Sequence, residues 1–166
     1  MDILKISTEW ARAELLSAKI VGLFSIITIL SSAGFAIWGK SITARAFIIP
    51  MIISGIFLAV VGVGLYAANK PRIEQFTKLY KIDSTKFTQN EIARTAKSQA
   101  DFKTVFKVLP AIVIVAAIIF MFSASANWKA ITITVIIMSS FLMIVDSNTE
   151  TRNNDYREKL LKFARL

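Results

Sequence analysis

Long runs without charge dominate the hydrophobic pattern of this chain. Every residue from Ile20 to Gly39 is uncharged, and so is every residue from Ala46 to Asn69. A hydrocarbon layer about 30 Å thick is crossed by ~20 apolar helical residues at 1.5 Å each, so either run is long enough for one span. A third apolar stretch extends from Val108 to Val145, broken only by Lys129. It is too long for one helix and suits two spans joined by a tight turn. Ser123-Ala124-Ser125-Ala126-Asn127 supplies small and polar residues for that turn. The expected spans are thus 20–39, 46–69, 106–124 and 127–147. Lys107, Lys129 and Asp146 fall at their ends, where the lysines can snorkel toward headgroups. Trp38 and Trp128 near the outer ends suit an aromatic belt. A secretory signal peptide is the rival reading of the first run, with Gly34-Phe35-Ala36 as a small-residue cleavage site. It is disfavoured because three acids precede the run and the apolar stretch exceeds a signal core.

Between the spans the pattern changes to helical amphipathicity. Pro71 can open a helix because its missing N–H is not needed in the first turn, and Arg72 to Ile82 reads as a short helix. Asp83-Ser84-Thr85 interrupts it. A second helix is expected to restart with Thr88 as cap, Glu91 closing a capping box and Phe87 stapled onto Ile92. With no strong breaker before Pro110, that helix should run into the third span, with a possible kink at the proline. The arm from Ile3 to Ala18 gathers Asp2, Lys5, Glu9, Arg12 and Lys19 on one side and Ile3, Ile6, Trp10 and Ala13 on the other. It reads as an interfacial helix. Glu14 breaks its pattern by falling within about 40° of Ile3 and Trp10. A partner cation from a neighbouring helix is the first expectation for this residue. The alternative is a carboxylate lining an ion path or an oligomer interface. In the tail, Asp146 to Asp155 is almost wholly polar. Tyr156, Leu160, Phe163 and Ala164 then recur at helical spacing, with Asp155–Lys159 and Glu158–Lys162 as favourable i,i+4 pairs, on a helix that either continues from the fourth span or restarts after a short polar break. This stripe either covers other helices or touches the membrane surface.

Charge orients the whole. Three Lys and Arg precede the first span, nine lie between Lys70 and Lys107, and five follow the fourth span; only Lys40, Arg45 and Lys129 fall on the other side. The positive-inside rule places both termini and the long loop in the cytoplasm. The fold expected is an all-α integral membrane protein, four transmembrane helices in two hairpins with cytoplasmic amphipathic helices. Its parts are an N-terminal helix (1–19), a first hairpin (20–69), a basic helical loop (70–105), a second hairpin (106–147) and a tail helix (148–166). A bacterial inner membrane is the expected home, on size and the lack of sorting signals.

Composition then removes chemistry. The chain of 166 residues is 55% hydrophobic with a formal charge of +9, and it has neither Cys nor His. That excludes disulfides, thiol chemistry, Cys/His zinc sites, imidazole-ligated haem and triads with a histidine base. No Walker loop, GxGxxG or nucleophile elbow is present, so neither enzyme activity nor a cofactor is expected. The basic loop carries Glu74, Asp83, Glu91 and Asp101 among its cations and lacks a nucleic-acid fold signature. Anionic lipid of the inner leaflet is the simpler partner for it.

The candidate functional or interface residues are Glu14, Asp146, Asn69, Gly55, Ala59 and Gly62. Asp146, with Asn148 and Glu150, stands at the inner end of the fourth span, and Asn69 at that of the second. Gly55, Ala59 and Gly62 form a small-residue stripe for close helix packing, within the chain or between copies. Ser25, Thr28 and Ser32 offer hydroxyls to bridge helices. Two functions follow as expectations. One is an accessory or scaffold subunit that binds another membrane protein or partner through its cytoplasmic helices. The other is a homo-oligomeric ion channel or small-solute conduit with Glu14 or Asp146 as an acidic ring at the inner mouth.

Overall fold

The computed structural model describes residues 2–165; Met1 and Leu166, the outer ends of the expected arm and tail, lie outside the described residues. It is all-helical. The helices are α1 (Ile3–Trp38), α2 (Ile42–Ala46), α3 (Ile48–Asn69), α4 (Arg72–Ile82), α5 (Ser84–Phe122) and α6 (Ala126–Phe163). Four of these helical stretches are long and apolar enough to cross a membrane.

Continuity is the main feature of these helices. Arm and first span form the single helix α1, opened by Asp2, whose side chain accepts from the Lys5 N–H at 3.3 Å. Tail and fourth span form the single helix α6, without a break across the polar residues 146–155. α5 runs unbroken through Pro110 into the third apolar stretch, as the one long element expected. α4 keeps the expected bounds. The start of α5 does not. Asp83 is its N-cap, accepting from Lys86 N–H at 2.9 Å, so Ser84 to Phe87 are already helical and no capping box forms at Thr88. The Thr88 hydroxyl instead donates back to Ser84 O. A free carboxylate one residue after a completed helix is an excellent cap, and it pre-empts a threonine five residues later.

α1 and α3 pack along each other, as do α5 and α6, and α6 also touches α1 and α3. The pairings run antiparallel: Ser25 meets Gly55 and Ser32 meets Ile48, while Gln99 meets Asn154. Val21, Leu58 and Val145 form the centre of the apolar half, beside Phe24 stacked on Phe141 at 3.9 Å. The α1–α3 seam is close because its residues are small. A Cβ on Gly62 would lie 3.1 Å from Gly22 N and 3.3 Å from Ala18 O, both backbone atoms that cannot swing away. A Cβ on Gly55 would meet Ile29 Cγ1 at 2.5 Å. Across the same seam Ser25 Oγ donates to Gly55 O at 2.7 Å and Ser32 Oγ to Ile48 O at 2.9 Å. Such bridges contribute roughly 0.6–2 kcal/mol each in a membrane. Gly62→Leu should force the two helices apart and cost about 1–3 kcal/mol. Chemical unfolding of the detergent-solubilised chain measures it, with Gly64→Leu, where a Cβ meets nothing within 4 Å, as the silent comparison.

Beyond the apolar half, α4 and the polar ends of α1, α5 and α6 close into a helical head. Its core contains Ile3, Trp10, Ala11, Phe76, Phe87, Tyr156 and Leu160. The arm is therefore not an interfacial helix, because the face that would meet lipid is buried against α4, α5 and α6. The stripe of the tail is spent in the same core.

Candidate functional site

The head buries polar groups as well as apolar ones. On α1, Ser7, Trp10, Glu14 and Ser17 share one face at spacings of three and four. On α6, Thr149, Arg152, Asn153, Tyr156 and Leu160 do the same. Where these faces meet α5, a hydrogen-bonded network forms around Tyr156.

Glu14 is 6% exposed, and its partner is Arg152. The guanidinium donates to Glu14 Oε1 from Nε at 3.2 Å and from Nη2 at 3.1 Å. It also donates to Ser17 Oγ at 2.7 Å and to Thr149 Oγ1 at 3.0 Å. Burial raises the Glu14 carboxyl above its ordinary value, and the Arg152 charge opposes that rise.

A second centre lies on α5. Glu91, also 6% exposed, takes a bidentate pair from Arg94, with Nη2 to Oε2 at 2.8 Å and Nε to Oε1 at 3.1 Å. The Tyr156 hydroxyl donates to Glu91 Oε2 at 3.0 Å and bonds Ser7 Oγ at 2.8 Å, so it ties α6 to α5 and to α1. Burial, helped by the neighbouring Glu91 charge, pushes this hydroxyl up and keeps it protonated as a donor. Trp10 stacks on Tyr156 with centroids 5.4 Å apart, and the Arg94 guanidinium covers Trp10 at 4.1 Å, an aromatic–cation sandwich. Asn153 Nδ2 donates to Thr95 O and Arg157 Nη1 to Ile92 O, which adds two more α5–α6 ties. Trp10 Nε1 and Asn153 Oδ1 are buried without a hydrogen-bond partner among the described residues.

The remaining candidates scatter. Asn69, 4% exposed, makes the α3–α4 joint: Nδ2 donates to Leu65 O and Oδ1 accepts from Arg72 Nη1, both at 2.8 Å. Burial and the nearby Arg94 lower the Arg72 pKa from its ordinary value. Asp146 is half-buried and has no hydrogen bond among the described residues, so it does not join Glu14. Gly55 and Gly62 are covered by α1 and Ala59 is half-buried. The stripe thus serves close packing within the chain, with α1 on the face that Gly55 and Gly62 open. Among the described residues no three carboxylates gather in a way that could hold a metal ion.

Arg152, Tyr156, Glu91 and Arg94 were not singled out as site residues by the sequence. For Arg152 and Arg94 a partial signal existed in the choice of cation, although Arg12 of the head is exposed. Arg72, Arg94, Arg152 and Arg157 are all half-buried and hydrogen-bonded, whereas every lysine of the head is exposed. Guanidinium is planar, weakly hydrated and rich in donors, so it tolerates burial where ammonium does not. No family model matches the chain, no curated protein matches it, and no solved structure does.

Proposed function

We propose that the protein is a non-enzymatic interaction subunit of a bacterial inner membrane. In this reading α1 with α3 and α5 with α6 form two transmembrane hairpins, and the head lies in the cytoplasm with both termini. One observation carries the choice of function. Ile82 is 82% exposed and Leu79 50% exposed on α4, beside the exposed lysines 78, 81 and 86, whereas the other large apolar groups of the head are packed except Leu16 on α1, which lies next to the first apolar run. The 24 residues of α5 before Val108 span about 36 Å of helix, so this basic apolar tip stands well away from the hydrocarbon. A protein partner with an acidic, apolar-centred surface suits it better than lipid does. The carboxylates speak against a conduit lined by Glu14, because Glu14 and Glu91 are consumed by Arg152 and Arg94, which leaves Asp146 as the residue on which the channel reading is tested.

Orientation and function are tested separately. With no cysteine in the background, a single Cys at Ser41 should label from outside the cell, and one at Ser84 only after permeabilisation. The reverse pattern overturns the orientation. For function, a stoichiometric partner should co-purify with the wild-type chain and be lost from Ile82→Glu/Lys81→Glu, whose substitutions lie outside the packed core. Liposomes carrying the protein should pass no ions. A closed homo-oligomeric ring with ion flux abolished by Asp146→Asn would overturn the reading in favour of the channel.

A further inference from the structure

At the end opposite the head, α3 and α6 do not close on one another. A cleft of about 450 Å³ separates them, walled by Ile49, Ile53, Ile131 and Val135, with Arg45 and Asn127 at its mouth. Ser54 and Thr134 stand at its inner end, and a second cavity of about 300 Å³ continues beyond them among α1, α3 and α6. α2 packs against α6 and so carries Arg45 to the mouth. From Ile48 to Ser54 is six residues of α3, about 9 Å of helix, so the cleft reaches well into one hydrocarbon leaflet.

The mouth is positive and nothing nearby offsets it. The chain has no acid between Glu14 and Glu74 or between Asp101 and Asp146, so the segments at this end contribute Lys40, Arg45 and Lys129 and no carboxylate. Arg45 Nε donates to Gly39 O at 3.2 Å, and its terminal nitrogens make no hydrogen bond among the described residues. The Ser125 side chain leaves the N-terminus of α6 uncapped, which adds partial positive charge from the helix dipole beside Asn127.

We propose that this cleft holds one acyl chain of an anionic phospholipid, with the lipid phosphate against Arg45. The inference rests on the membrane reading and is independent of any partner at the head. Two helix walls enclose the chain where an ordinary boundary lipid meets one, which slows its exchange. The cation at the mouth selects a headgroup with uncompensated negative charge over a zwitterion, whose own ammonium already neutralises the phosphate. Ser54 and Thr134, both buried, stand where the cleft meets the second, largely apolar cavity.

The test uses the full chain in nanodiscs of mixed phosphatidylglycerol and phosphatidylethanolamine, released into mild detergent and weighed by native mass spectrometry. One retained phosphatidylglycerol per chain is expected. Arg45→Gln should reduce that retention roughly tenfold, the effect of losing one charge-assisted contact. Lys40→Gln, which removes a cation from the same end outside the cleft, should leave it unchanged. Ile53→Trp should abolish retention of either lipid by filling the cleft from an exposed wall position, with its melting temperature confirming the fold. Equal retention of the two lipids, equal loss in Arg45→Gln and Lys40→Gln, or undiminished retention in folded Ile53→Trp would each overturn the proposal. Cysteine labelling reports orientation independently, so a failure here is distinguishable from a failure of the topology.

Discussion

Arg152→Met is expected to destabilise the protein by about 3 kcal/mol at neutral pH, because it strands a buried carboxylate whose ion pair it removes. Glu14 is 6% exposed and Arg152 supplies both of its hydrogen bonds, while Arg94 and Arg72 reach it only through weaker, longer-range attraction. Arg152 is itself partly exposed, with 30% of its side chain accessible, which sets the loss near the lower end for buried pairs. Most of the penalty should vanish in a Glu14→Gln background, where no charge is stranded. A double-mutant cycle of chemical unfolding in detergent measures that coupling.

The pH dependence follows from the same pair. Burial raises the folded-state pKa of Glu14 above the unfolded 4.5, and Arg152 opposes the rise. Without Arg152 the folded value climbs further. A folded state that binds a proton more tightly than the unfolded one is most favoured below the unfolded pKa and loses that advantage as pH rises through the folded pKa. The Arg152→Met penalty should therefore shrink as pH falls toward 4.5 and be greatest above the raised value. A penalty that is flat with pH, or as large in the Glu14→Gln background, would contradict the stranded-charge account.

Tyr156→Ala should cost about 3–5 kcal/mol, the usual loss when a buried aromatic is cut to a methyl group. Tyr156 is 2% exposed, stacks on Trp10 and joins three helices through one hydroxyl. Tyr156→Phe separates the parts of that loss. It keeps the stack and removes both hydrogen bonds, leaving Ser7 and Glu91 short of a buried partner at about 1–3 kcal/mol. Trp10 fluorescence in a chain carrying Trp38→Phe and Trp128→Phe reports the stack directly: Tyr156→Ala should shift it toward the solvent-exposed value and Tyr156→Phe should not. Similar losses in the two variants would mean that the hydroxyl, and not the ring, holds the head together.

Legibility differed by element. The α4 bounds could be read because Pro71 and Asp83 are local punctuation with local causes. The need of Glu14 for a cation was readable from its angle on α1, for which the helical period suffices. The start of α5 misled, since Asp83 and Thr88 are both competent caps and their order along the chain decided between them. Glu91, once placed as a capping-box acid, is instead the acceptor for Arg94 and Tyr156, and Tyr156 lies 65 residues away in sequence. The polar stretch 146–155 left two readings open for a related reason. Composition alone does not choose between a continuous helix and a short break there, and α6 is continuous because Arg152 and Asn153 find partners on α1 and α5, bonds that satisfy groups which would otherwise need water.

By itself the sequence determined that four segments are apolar enough to cross a membrane, and that their flanking charges lie overwhelmingly at one end. Both are sums over consecutive residues, and transfer free energy acts on such sums. The tertiary structure alone decided which of many cations meets Glu14, since that partner is 138 residues distant. It also decided that the Gly55–Gly62 stripe is filled by α1, and that α3 and α6 stay apart at the Arg45 end. Each of these depends on how helices already formed fit against one another, and shape complementarity between distant surfaces is not written into either surface alone.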